Sequence, residues 1–328
     1  MTTRTRILIA VAGILTLAAA AMVYVGFASA RNQDSAATGT VSLAPGPRIL
    51  FRSTADADRG HLATVAAADP GGARTVSPIS CSRVYAAGGT GLCLRPESGL
   101  TTYQLVVLDA GLTSKREIPL VGLPNRARVS ASGRMLAWTV FVTGDSYNGG
   151  LFSTRAGILD SATGDLVGTL EDYSVFVDGL RYQAADLNFW GVTFTKDDNR
   201  FYATMSTAGH RYLVEGDFKA HTIRTVRDRV ECPSLSPDGT RIAFKSAVDG
   251  DPGKGWRVSV LDLSFSAVTP LGETRSVDDQ PAWLDDHTVA YAIPRGRDHA
   301  DVWAVPADGR GTSRLLIPDA ESPAALSA

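Results

Sequence analysis

Apolar and polar residues alternate in short runs along most of this chain, and the runs come in sets. Six segments each carry an alternating run that ends on aspartate before a small-residue turn. They read HLATVAAAD to Asp69, YQLVVLD to Asp109, RAGILD to Asp160, RYLVEGD to Asp217, WRVSVLD to Asp262 and DVWAVPAD to Asp308. A period of two marks a half-buried strand. The aspartates fall 40, 51, 57, 45 and 46 residues apart, and a second short run follows each. An aspartate carboxylate accepts from backbone N–H groups two residues on, which favours a hairpin corner. These six are therefore expected as structural turn residues.

A second hairpin precedes each run. The clearest is CPSLSPDGTRIAFKS, residues 232–246, where Asp238 and Gly239 supply the turn. Looser copies occupy 127–139, 192–204, 281–292, 83–94 and 42–51. Four short strands per unit and six units predict an all-β fold, a six-bladed β-propeller of four-stranded blades. Stacking blades in a ring covers sheet faces that one blade alone cannot bury. Closing the ring needs a strand from one terminus. The C-terminal ESPAALS is expected to return to the first blade, with TVSLA near residues 40–44 as the other choice.

The first thirty residues differ. Arg4 and Arg6 precede an uncharged apolar stretch, with residues 7–28 long enough to span a bilayer as a helix. Basic residues ahead of the stretch direct the rest of the chain out of the cytoplasm. Ala28, Ser29 and Ala30 also fit a signal-cleavage site. Residues 1–30 thus read as a signal peptide or signal anchor, 31–40 as a flexible tether and 41–328 as the propeller. The chain is expected at the cell membrane with an extracytoplasmic ring, or secreted after cleavage near Ala30.

The motif CPSLSPDGTRIAFKS, with DDQPAWLDD in the sixth unit, resembles the TolB-type propeller repeat. The resemblance covers about residues 41–318. It implies a six-bladed ring, a cell-envelope setting and a binding role, and the chain looks like a TolB-like extracytoplasmic protein of actinobacterial type. TolB proteins carry an α/β domain ahead of the ring, whereas here only the tether stands there.

Composition narrows the function. The 328 residues carry a net charge of −2, which argues against a nucleic-acid partner. Arginine outnumbers lysine 27 to 5, a bias typical of a GC-rich genome. No G-x-S-x-G elbow, H-E-x-x-H or C-x-x-C occurs, so no catalytic residue, metal ligand or cofactor is expected. The leading expectation is a non-enzymatic, monomeric binding scaffold for an envelope protein or peptide. The alternative is a lyase or lactonase-type hydrolase acting on an exported small substrate.

The binding surface is expected at the axial mouth, where the innermost strands begin. Those starts bring Arg83, Arg126, Arg128, Asn188, Trp190, Glu231, Asp278, Asp279 and Gln280 to one face. Mixed charge there suits a zwitterionic or peptide ligand. Asp145, Tyr147 and Asn148, in a long insertion, are loop candidates. The segment 171–191 reads as an outer elaboration of the third blade, with Tyr173, Phe176 and Tyr182 as possible interface aromatics.

Three cysteines, Cys81, Cys93 and Cys232, leave at least one unpaired within the chain. With the turn at 88–91, Cys93 faces about Ala86. Cys81 then lies roughly 16 Å along the strand at ~3.3 Å per residue. A bridge needs Cα atoms within ~7 Å, so none is expected unless the strand bends.

Overall fold

The computed structural model describes residues 40–97, 102–142 and 153–327. The apolar segment 7–28, nearly all of the tether, and Asp145, Tyr147 and Asn148 lie outside the described residues. Among the described residues no helix is long and apolar enough to cross a membrane.

Six antiparallel blades form the ring. The first holds β1 (Arg48–Ser53), β2 (His61–Ala66) and β3 (Thr75–Ser80). Its innermost strand is the last of the described chain, β26 (Ala320–Ala325), which pairs antiparallel with β1. Closure therefore comes from the C-terminal segment. The 40–44 stretch instead packs Val41 and Leu43 into the core between the first two blades, and Leu43 N–H donates to the Ala110 carbonyl at 2.9 Å.

The second blade runs β4 (Arg83–Ala87), β5 (Thr90–Pro96), β6 (Tyr103–Leu108) and β7 (Ser114–Leu120). The third runs β8 (Leu123–Val129), β9 (Met135–Val142), β10 (Ser153–Asp160) and β11 (Leu166–Val167). Two short strands follow, β12 (Ser174–Val177) and β13 (Leu180–Tyr182). The fourth blade is β14 (Asn188–Phe194), β15 (Arg200–Thr207), β16 (His210–Asp217) and β17 (Thr222–Asp228). The fifth is β18 (Glu231–Leu235), β19 (Arg241–Ala247), β20 (Trp256–Asp262) and β21 (Val268–Pro270). The sixth is β22 (Ala282–Trp283), β23 (Thr288–Arg295), β24 (His299–Pro306) and β25 (Arg314–Ile317).

The predicted elaboration of the third blade belongs to the fourth. β12 pairs in parallel with β17, making a six-stranded sheet. Tyr173, expected as an interface aromatic, is buried there. Its ring meets Phe201 edge-on at 6.0 Å and stacks on His221 at 5.0 Å.

Asp109, Asp160, Asp217, Asp262 and Asp308 each cap their turn, the side chain accepting from N–H groups two to four residues on. Asp69 turns the chain through its backbone carbonyl, which accepts from Gly72 at 3.1 Å. Asp160 also takes two bonds from Arg134, at 2.8 and 2.7 Å, which hold its carboxyl down at about 2.

One apolar cluster fills each of the six spaces between blades. The largest lies between the third and fourth, around Phe189, Phe201 and Phe218. Gly216 makes room there, since a Cβ would stand 2.0 Å from the Phe201 ring. The smallest, between the fourth and fifth, has five buried members: Leu213, Val230, Ile242, Phe244 and Leu261.

The cysteine expectation is corrected. Cys81 and Cys93 form a disulfide with Cα atoms 5.5 Å apart, and Cys232 is a buried free thiol. The hairpin turns on Gly88 and Gly89, so Cys93 faces Val84 rather than Ala86. The chain also bends between β3 and β4. Cys81 N–H donates to the Gly60 carbonyl at 2.9 Å and Ser82 N–H to Leu94 at 2.6 Å, which folds Cys81 back onto β5.

Candidate functional site

The innermost strands do more than line the axis. Four of them, β8, β14, β18 and β26, carry one extra residue near their starts, seen as a register shift against the neighbouring strand. Such bulges bend a strand and re-aim its side chains. Three place a residue in the left-handed region: Gly191 (φ 67), Cys232 (φ 50) and Ser322 (φ 54). At Gly191 a Cβ would stand 2.9 Å from the Cys232 Cα. Threonines of the preceding blade take up the freed donors: Gly191 N–H donates to Thr139 Oγ1 at 3.3 Å, and Cys232 N–H to Thr204 Oγ1 at 2.8 Å.

The re-aimed side chains meet in an axial vestibule of about 640 Å³. Arg83, Arg126, Asn188, Trp190, Glu231 and Asp278 all line it. Arg128, Asp279 and Gln280 sit deeper, where the channel narrows to about 30 Å³. Arg128 is nearly fully buried, stacks over Tyr85 at 4.2 Å and donates to the Pro281 carbonyl at 3.0 Å. Gln280 bridges two strands by donating to the Val192 and Pro233 carbonyls, at 3.1 and 2.8 Å. These groups close the floor.

Several lining residues were not expected at the mouth. Arg211, Lys245 and Trp256 come from second and third strands, so their arrival depends on strand length and bend. Alternation could have placed Lys245, which faces Glu231 across β18 and β19.

Charge in the vestibule is paired but uneven. Arg83 meets Glu321 at 3.2 Å, and Arg211 meets Glu231 at 3.2 Å. Lys245 pairs with Asp278 and lies 4.1 Å over the Trp256 ring. Burial works to lower Lys245, but Cys232 and Asp278 more than offset it and hold the amine above its ordinary value. Burial pushes Glu231 up to about 7 against the pull of Lys245 and Arg211, with Asp278 adding to the rise. Arg126 donates to the Asn125 carbonyl and side chain at 3.0 and 2.5 Å, and to the Asp278 carbonyl at 3.3 Å. Its nearest carboxylate, Asp279, is 4.0 Å away, and its buried Nε has no hydrogen-bond partner among the described residues. Among those residues no group of three or more His, Cys, Asp or Glu is placed to hold a metal ion.

The architecture defines a six-bladed β-propeller closed by its C-terminal strand. Its ring is similar in fold to the propeller of TolB. TolB from Acinetobacter baumannii superposes with a TM-score of 0.61 at 17% identity, covering 86% of this chain and 67% of that one. A chain of a nidogen/laminin complex gives 0.54 at 10% identity, covering 85% and 98%. A TolB of Agrobacterium tumefaciens gives 0.49 at 14% identity, covering 84% and 90%. No protein-family model and no curated protein matches the sequence.

Proposed function

We propose that this chain is a non-enzymatic, monomeric scaffold of the cell envelope. It is held outside the membrane by residues 7–28, or released by cleavage near Ala30, and captures a protein or peptide partner in its axial vestibule. The observation that carries this reading is the convergence of inner-strand side chains of both charges, with Trp190 and Trp256, on one chamber with a closed floor. Aromatic rings beside polar groups are the usual anchors of a protein interface. The export segment and the TolB-like ring support the envelope setting.

The reading is tested in cells with photo-crosslinking residues placed at Trp190, at Tyr147 and at Phe265, an exposed outer-turn site. Adducts with one defined partner are expected from position 190 and not from 265. Adducts at 147 would extend the surface to the insertion of Asp145, Tyr147 and Asn148. Equal yields at 190 and 265 would remove the vestibule as the binding site. Fractionation with and without signal-peptidase inhibition separates the anchored from the released form.

A further inference from the structure

A second cavity, of about 720 Å³, opens between the fourth and fifth blades. It shares Gly209, Arg211 and Glu231 with the axial vestibule, so the two adjoin along the Arg211–Glu231 ion pair. The floor of the vestibule is closed, and this groove continues it sideways. A ligand filling both is elongated, with one end blind against the floor.

The chemistry along that path is graded. At the floor is Arg126, whose nearest carboxylate stands 4.0 Å away, farther than for the other vestibule cations. A buried guanidinium of this kind favours an anion with two oxygens. Beyond it Trp190 and Trp256 offer ring faces. The groove then sets apolar Phe244 and Val268 beside charges of both signs, Arg227 and Arg229 against Asp228 and Asp249. An anionic end followed by a body of mixed character describes the end of a polypeptide.

We infer that the vestibule receives the free C-terminal carboxylate of an extended peptide on Arg126, while the preceding residues leave through the groove between the fourth and fifth blades. This rests on the peptide-capture reading above and deepens it.

The full chain is equilibrated with two pools of N-acetylated hexapeptides of randomised sequence, one ending in free acids and one in amides. Bound peptides are recovered by ultrafiltration and counted by mass spectrometry. Free acids are expected to be favoured about tenfold or more, the effect of a charge-assisted hydrogen-bonded pair. Arg126→Gln should abolish the preference and Arg126→Lys should keep part of it. Equal recovery of acids and amides overturns the carboxylate assignment and leaves a peptide-binding vestibule standing. Recovery of neither overturns both. Should Arg126→Gln fail to fold, the wild-type chain still supplies a test. A benzophenone three residues before the free C-terminus should label the groove wall around Pro252 and Val268, and labelling spread over other blades overturns the route.

Discussion

Two places in the ring answer the same packing problem in opposite ways. The closing blade joins the ends of the chain, where no covalent connection holds β26 to β1. There the molecule concentrates its restraints. Glu321 on β26 accepts from Arg52 at 2.9 Å and meets Arg83 of the second blade at 3.2 Å. Arg52 also donates to the Cys81 carbonyl at 2.6 Å, tying that latch to the disulfide. Clusters of twelve and ten buried residues flank the blade. The junction of the fourth and fifth blades is covalently continuous through Arg229 and Val230. It keeps five buried residues and a large cavity. Of these two places, the one closed without a covalent link carries the latch and the larger clusters, and the continuous one carries the open space.

The contrast can be broken by measurement. Leu50→Ala, in the closing blade, is expected to cost about 4 kcal/mol, and Ile242→Ala at the open junction about 2 kcal/mol, both by urea unfolding. Equal costs would remove the contrast. Replacing Cys81 and Cys93 together by Ala should cost about 3 kcal/mol, and an unchanged midpoint would show that the bridge does not brace the closing blade. In the wild-type chain, reduction should raise thiol labelling of the unfolded protein from one site to three. Glu321→Gln, which strips both arginines of their charge partner at a largely buried site, should cost about 1 kcal/mol.

A further effect is a pH dependence. Glu231 has its carboxyl raised from 4.5 to about 7 in the folded chain. Between those values the folded state holds a proton that the unfolded state has lost. Stability from this group is full below about 4.5 and declines as pH rises through about 7. Arg211 faces it across the junction, and Lys245 and Asp278 act on it from its own side. Glu231→Gln should flatten the fall between pH 5 and pH 8 by about 2 kcal/mol. A wild-type profile already flat over that window would contradict the burial of this carboxylate.

The ring itself was legible because each blade repeats a local signal. The Asp-ended runs and the turn at Asp238 and Gly239 are set by neighbours a few residues away. The vestibule set was legible in part, since the start of an inner strand implies a place near the axis. What escaped depends on non-local geometry. The Cys81–Cys93 bridge hinges on a bend after Ser80 and on a two-residue difference in hairpin register. β12 and β13 join the fourth blade by parallel pairing, which leaves no turn in the sequence. Arg211, Lys245 and Trp256 reach the vestibule wall from second and third strands, and nothing in alternation ranks those strands by distance from the axis.

The pairing of β26 with β1 also sets an order of events during synthesis. The ring cannot close until its last strand has left the ribosome. Until then the first blade waits as three strands, with the edge of β1 open to any passing strand. A nascent chain of this kind is exposed to misassociation for nearly the whole of its production. Its earliest blades therefore stand to gain most from a chaperone during synthesis.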